Sequence, residues 1–512
     1  MAQAKTRKIL NKNLWFSVMT VVFILLAFGI STAATDLVDE NIESAVEKEL
    51  SDDQAVPAHL IDVGCMDNVV TLSGSVDNLL AKERAVSIAK TVKGVRSVVN
   101  RIVVEPVTVK SDSAVYTDVT EALLSDPATE SYEIDTSVNN GVVTLEGMVN
   151  SYMEKAQAER VAKSVSGVKE VDNLLVFDHK TTRPDKEFQA EIKKAMRWDT
   201  LVDQELIQVS VDNKKVTLKG TVGSAAEKDR AINHAWMIGI KEVDASLLKA
   251  DRWARDRDLR QEKYILKEDD KIKAAVEDAL LYDPRVLSDD IDVTVNNGVV
   301  KLRGKVDYLG AKQLAAQDAR NTVGVIRVEN QLKVSRPAEE LTSSELEQKI
   351  MDKYGRDPYL EEYALTVEVV AGVADIYGTV DSYFEKTRAE NLASDVRGIY
   401  VVDNNLIVTK AYDPYVYKPY VDDYYLYDYD WYAYQPGVTS TKNDQEIKEN
   451  IESEFFWSPF VDGGDITISV DDGKATLTGE VDSWSEYDAA TQNALEGGAV
   501  AVDNELTISY RQ

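Results

Sequence analysis

One pair of glycine-centred signatures returns six times along this chain, and that repetition limits the folds open to it more than any other feature. The first signature alternates apolar and polar residues around a glycine, as in Val70-Thr71-Leu72-Ser73-Gly74-Ser75-Val76, and recurs around Gly147, Gly220, Gly304, Gly378 and Gly479. The second follows 19 or 20 residues later, running from Gly94 through Val98 and Asn100 to Ile102, with later copies starting at Gly167, Gly239, Gly324, Gly398 and Gly498. A fixed self-similar period is the mark of an array of one small unit.

Between the two glycines each copy carries alanines 11 and 15 residues after the first: Ala85/Ala89, Ala158/Ala162, Ala231/Ala235, Ala315/Ala319, Ala389/Ala393 and Ala490/Ala494. A spacing of four puts both methyls on one helix face. Such a stripe lets a helix backbone come close to a sheet, with Val92, Val165, Ile238 or Val396 filling the space beyond. Alanine's helix propensity would account for one or two such pairs, not six.

The fourth copy shows the unit most clearly. Ile272, Val276, Ala279 and Leu280 form a helical stripe from Asp269 to Tyr282, which Asp283-Pro284 ends. Ile291, Val293 and Val295 alternate with polar residues up to Asn297-Gly298, and Val300, Leu302 and Val306 resume beyond it, predicting a hairpin. A second helix is expected over about 307–322 and a last strand through Val325, Val328, Leu332 and Val334. The fold class is therefore α+β: six tandem αββαβ modules behind an N-terminal signal or anchor helix.

Asn140-Gly141, Asn297-Gly298 and Asp472-Gly473 are strong turn pairs, whereas Asn68 and Lys214 stand at the glycine position of copies one and three, where less regular turns are expected. Asn100, Asn173, Asn330, Asn404 and Asn504 are expected to bond nearby backbone. Ala245 replaces this asparagine in the third copy, which should be the weakest module.

At the N-terminus Lys5, Arg7, Lys8 and Lys12 precede an apolar run from Leu14 to Ile30 and then Ser31-Thr32-Ala33-Ala34. This order reads as a secretory signal over residues 1–34, and the length of the run leaves an uncleaved anchor open. The basic end stays inside and the rest is exported, giving a periplasmic protein, held in the inner membrane if the signal is retained. Setting aside those four basic residues, the 58 of the whole chain become 54 against 89 acidic ones, a net charge of −35. That excludes a nucleic-acid partner, argues against general attachment to anionic lipid, and fits self-repelling beads on a string. Cys65 is the sole cysteine, so no disulfide can staple the modules; it reads as an incidental small residue.

With its two glycine signatures at this separation, the pattern resembles the BON domain, a bacterial module of osmotically inducible periplasmic proteins and outer-membrane lipoproteins. The resemblance places modules at 36–106, 112–178, 185–250, 268–335, 342–410 and 443–512. It implies a non-enzymatic domain tied to envelope integrity, phospholipid interfaces and osmotic stress, and it makes the twelve signature glycines structural. No cofactor, metal or catalytic residue is implied.

Two segments lie outside the repeat. Residues 251–267 interleave Arg252, Arg255, Arg257 and Arg260 with Asp256, Asp258 and Glu262, reading as a solvated linking helix. The linker 411–442 holds, between Tyr412 and Tyr434, ten tyrosines, Trp431 and five aspartates in 23 residues. It reads either as a linker whose rings fold back on their neighbours or as a contact surface for a protein or glycan, through Tyr415, Tyr417, Tyr420, Tyr424, Tyr425, Tyr427, Tyr429 and Trp431. His59, His179 and His234 fall in three different copies, giving zinc or histidine chemistry little material. The acid pairs Asp52-Asp53, Asp289-Asp290, Asp422-Asp423 and Asp471-Asp472 are expected to be solvated.

The expected function is envelope maintenance through repeated weak binding to a membrane phospholipid interface or to envelope proteins. The alternative is a spacer or assembly scaffold docking one partner through the tyrosine-rich segment.

Overall fold

The computed structural model describes residues 38–129, 133–177, 181–255, 259, 263–337, 341–410, 418, 420–422 and 442–510. The proposed signal segment lies outside them, as do all the candidate contact residues of the tyrosine-rich linker except Tyr420. No helix among the described residues is long and apolar enough to cross a membrane.

Each of the six copies folds as helix, hairpin, helix, strand. In the fourth, helices Asp269–Tyr282 and Leu309–Arg320 cover a three-stranded sheet of Ile291–Asn296, Val299–Val306 and Arg327–Val334. The middle strand pairs antiparallel with its hairpin partner and parallel with the last strand. The second helix supplies the crossover that a parallel pair requires.

Both alanines of every pair are fully buried. They sit under the second helix against the alternating apolar face of the sheet, beside Val300, Leu302 and Val306 in the fourth copy. At the first-signature glycines φ lies between +116° and +140°. A Cβ on Gly304 would run into the carbonyl oxygen of Asp290 where the first strand leaves its short 3₁₀ turn. The glycine therefore permits both the backbone conformation and the closeness of the two strands.

All six hairpin turns place both central residues in the left-handed region, including Asp67-Asn68, Asn213-Lys214 and Ala371-Gly372. The irregular turns expected of copies one and three do not occur. A carboxylate explains why: the aspartate opening the first helix accepts hydrogen bonds from both turn amides. Asp39, Asp112, Asp185, Asp269 and Asp444 do this for turns 28 and 29 residues further on. Ser343 takes the place in copy five. The left-handed strain at Asn68 and Lys214 is offset by this charged clamp, so glycine is dispensable there.

The strand asparagines act as expected. Asn330 accepts from the Leu332 N–H (3.2 Å) and donates to the Lys312 carbonyl (2.6 Å), and Asn173, Asn404 and Asn504 repeat the pattern. In copy three the strand Glu242–Ala250 carries a bulge between Asp244 and Leu247. Asp244 there accepts from the Ser246 N–H (2.9 Å), so a neighbour one residue earlier takes over the backbone bond.

Candidate functional site

The modules do not hang as separate beads; their helices meet. Three module pairs share one contact, in which the residue before a second-signature glycine donates its N–H to the last carbonyl of a partner's first helix. Lys93 bonds Trp457 (3.1 Å), Ser166 bonds Arg356 (2.7 Å) and Val323 bonds Trp198 (2.8 Å), joining copies one and six, two and five, and four and three. Helix ends leave carbonyls without an intrahelical partner, and here a neighbouring module satisfies one of them.

Beneath these contacts lies a set of buried ion pairs. Every first helix ends at a residue whose side chain accepts from the N–H two residues on: Asp53, Asp126, Asp199, Asp283, Asp357 and Ser458. In copies one, three and five an arginine 31 residues later reaches that aspartate. Arg84 grips Asp53 through two 2.7 Å bonds, Arg388 holds Asp357 at 2.7 and 2.8 Å, and Arg230 contacts Asp199. The equivalent positions in copies two, four and six are Gln157, Leu314 and Ala489. In copy four Asp283 instead pairs with Arg285 (2.7 Å). Burial pushes the Asp53 and Asp199 carboxyls up, but Arg84, and Arg230 with His234, outweigh it and hold both below the ordinary range. Asp52-Asp53 and Asp422-Asp423 are therefore not simply solvated: Asp53 and Asp422 are buried partners of Arg84.

A short piece of the tyrosine-rich linker is drawn into this network. The Lys418 ammonium binds Glu49 (3.0 Å) and Glu496 (2.6 Å), bridging copies one and six. Tyr420 donates its hydroxyl to the Leu201 carbonyl of copy three and lies on Phe460 of copy six, ring centroids 5.0 Å apart. Asp422 bonds Arg84 (2.5 Å). Lys418, Tyr420 and Asp422 thus clasp three modules, and Tyr420 faces inward rather than outward to a partner. Glu49, Glu454 and Glu496 cluster closely enough to suggest a cation site. Lys418 and Lys48 already serve as its cations. Burial drives the Lys418 ammonium down, yet Glu49, Glu496 and Asp53 prevail and keep it charged.

The two ends of the arginine-rich linker are docked rather than solvated, while residues 256–258 and 260–262 lie outside the described ones. Arg252–Arg255 is a 3₁₀ turn with Ala254 buried, and the buried Lys263 donates to the carbonyls of Thr200 (3.2 Å) and Val202 (2.6 Å). Cys65 lies 3.4 Å from the Asp39 carboxylate, and burial together with that charge pushes its thiol up to about 12, leaving no nucleophile at neutral pH. His234 is held by Asp199 at 2.5 Å. His59 lines a separate pocket, and His179 lies outside the described residues.

The buried ion pairs were missed from sequence, although the aspartate just past five of the six first helices and, in copies one, three and five, the arginine 31 residues on were available as a signal. With helices turned toward each other and hairpins outward, the arrangement can hold several modules as one body and offer its sheet faces to a partner.

Repeats of this architecture define a class of small α+β modules, and comparison with known proteins gives the family. The chain belongs to the BON domain family, whose model matches residues 38–106, 111–178, 184–249, 268–336, 342–410 and 443–510. It is 36% identical over 143 residues to osmotically-inducible protein Y of Escherichia coli, covering 27% of this chain and 71% of that protein. It is 30% identical over 151 residues to the outer membrane lipoprotein DolP of Haemophilus influenzae, covering 28% of this chain and 78% of that protein. Among solved structures, the C-terminal domain of CdsD, a structural protein of the type III secretion system of Chlamydia trachomatis, matches 42% of this chain and 97% of its own length. Its identity is 16% and its TM-score 0.11, too low to bear on how the modules are arranged.

Proposed function

We propose that this is a non-enzymatic, exported protein of the cell envelope that acts in envelope maintenance under osmotic stress by binding membrane interfaces or envelope proteins. Six BON modules in a chain similar to an osmotically-inducible protein and to an outer membrane lipoprotein carry the reading. The basic-apolar-small order of residues 1–34 supports export to the periplasm. Because the helix faces are spent on each other, binding falls to the outward sheet faces and hairpins. The net charge of −31 makes an uncharged interface or a protein a better partner than anionic lipid.

Co-sedimentation of the full chain with neutral liposomes and with an envelope fraction at low salt tests this. Binding to either is expected; no binding to both refutes it.

The inter-module contacts favour a second reading, a rigid scaffold that docks one partner through the tyrosine-rich segment. Deleting residues 423–434, which spares the clasp at 418–422, separates the two. A scaffold loses its partner, while a protein binding through its sheet faces keeps it.

A further inference from the structure

The sheet of each module turns one face to its own helices and the other outward, so every second strand residue stands on the outward side. On module four those outward positions are basic. Lys301, Arg303 and Lys305 line the middle strand and Arg327 and Lys333 the last, against Asp292, Glu329 and, in the turn at the edge, Asp290. Glu329 is shared between Lys301 (2.8 Å) and Arg327 (3.1 Å). Arg303 bonds the Gln331 amide oxygen (3.1 Å), and Lys305 and Lys333 have no carboxylate partner among the described residues. On modules one and three the corresponding positions balance, and on five and six acids prevail, so this basic excess belongs to module four alone.

Module two is its opposite. Its outward strand positions hold Glu133, Asp135, Glu146, Glu170 and Asp172 and no basic residue, and all five are exposed. None of these carboxylates has an ion-pair or hydrogen-bond partner among the described residues. Met148, Leu174 and Val176 lie exposed on the same face.

Each face also keeps a like-charge pair directly across two strands: Asp135 stands opposite Glu146, and Lys305 opposite Lys333. Such pairs destabilise an isolated sheet, and charges of the other sign laid over them relieve the repulsion.

We propose that the basic sheet face of module four docks on the acidic sheet face of module two of a second copy of this chain. The carboxylates meet Arg303, Arg327 and the lysine ammoniums, while the lysine stems cover the exposed Met148, Leu174 and Val176. Each copy carries both halves of the contact. Strands of eight residues, three abreast, make a face of about 26 by 14 Å, or about 350 Å² on each side. That is below the size of a permanent interface and defines a weak, reversible one. The net charge of −31 does not forbid it, because at about 0.15 M salt charges more than about 8 Å apart are largely screened while those in contact are not. The contact is independent of the envelope reading and stands if that reading fails, since its test uses the purified chain.

Sedimentation equilibrium of the full chain over a range of concentrations at about 0.15 M salt tests the proposal. The weight-average mass is expected to rise with concentration above that of one chain and to return to it at about 1 M salt. Reversing the basic face with Arg303→Glu and Lys305→Glu should weaken association at least tenfold, as should reversing the acidic face with Glu146→Lys and Glu170→Lys. All four substitutions together leave the net charge at −31 and should restore association to within about threefold. Glu368→Lys with Asp375→Lys, on the outward face of module five, changes the net charge as much as the module two reversal and should leave association as it was. Thermal unfolding of each variant checks folding, and Arg303→Gln with Lys305→Gln replaces a basic-face reversal that does not fold, with weakening again expected. A chain that stays monomeric, association indifferent to salt or to either reversal, or equal weakening by the module five control overturns the proposal. So does a basic face that sediments phosphatidylglycerol vesicles while the chain alone remains monomeric.

Discussion

Removing one carboxylate from the start of a helix should loosen a hairpin turn nearly thirty residues away. Asp269 accepts from the Asn297 N–H at 2.8 Å and from the Gly298 N–H at 2.9 Å, and these residues hold φ of +49° and +72°. A hydrogen bond to a charged group contributes about 1.5–3 kcal/mol net when shielded, and competition from water at a surface turn brings the two together to about 2 kcal/mol. Asp269→Ala should therefore raise the exchange rates of the Asn297 and Gly298 amides by about 30-fold, since about 1.4 kcal/mol is tenfold. Module five supplies the converse experiment. Its turn, Ala371-Gly372, faces Ser343 where the other copies have aspartate, so Ser343→Asp should slow exchange at those two amides. Site-resolved hydrogen exchange measures both changes without requiring the whole chain to unfold in one step. If Asp269→Ala leaves both amides as protected as before, the clamp does not hold the turn and the account of Asn68 and Lys214 falls with it.

Ala315→Leu should cost about 1–3 kcal/mol by forcing the second helix of module four off its sheet, read as a lowered thermal midpoint. Arg388→Met should cost about 3–5 kcal/mol by stranding the buried Asp357, while adding Asp357→Leu should recover most of it; urea unfolding of the single and double variants checks this. Burial raises Glu390 to about 8, so the folded protein holds a proton there that the unfolded chain releases near pH 4.5. Stability should therefore fall as pH rises from about 4.5 to 8, by at most about 1.4 kcal/mol per unit, and Glu390→Gln should flatten the decline in urea midpoints measured between pH 5 and 8. Below about pH 4 the lowered Asp53 and Asp199 act in the opposite sense, and protonating them removes stability.

The individual module was legible because its determinants are local. The helix of module four ends at Tyr282 as the Asp283-Pro284 pair dictates, and its strands follow the alternation of Ile291 to Val306. The alanine pairs announced close helix-on-sheet contact, which needs only that two methyls share one face. The turns of copies one and three were misjudged because Asp39 and Asp185 act through space on residues that local propensity treats as isolated. The arginine-rich linker was misread for a similar reason: a charged composition suggests solvent, yet Lys263 finds buried carbonyl partners on module three, while Tyr420 packs on its neighbours as the fold-back reading of the tyrosine-rich linker has it. Of the candidate contact residues only Tyr420 lies among those described, and it serves the clasp.

The sequence alone determined the number of modules, their αββαβ order and the close packing inside each, because periodicity and glycine sterics operate within some seventy residues. Only the tertiary structure decided that Arg84, Arg230 and Arg388 grip the ends of first helices, and that modules pair one with six, two with five and three with four. Those features depend on which charged groups are removed from water together, and that is fixed by contacts between residues far apart in the chain.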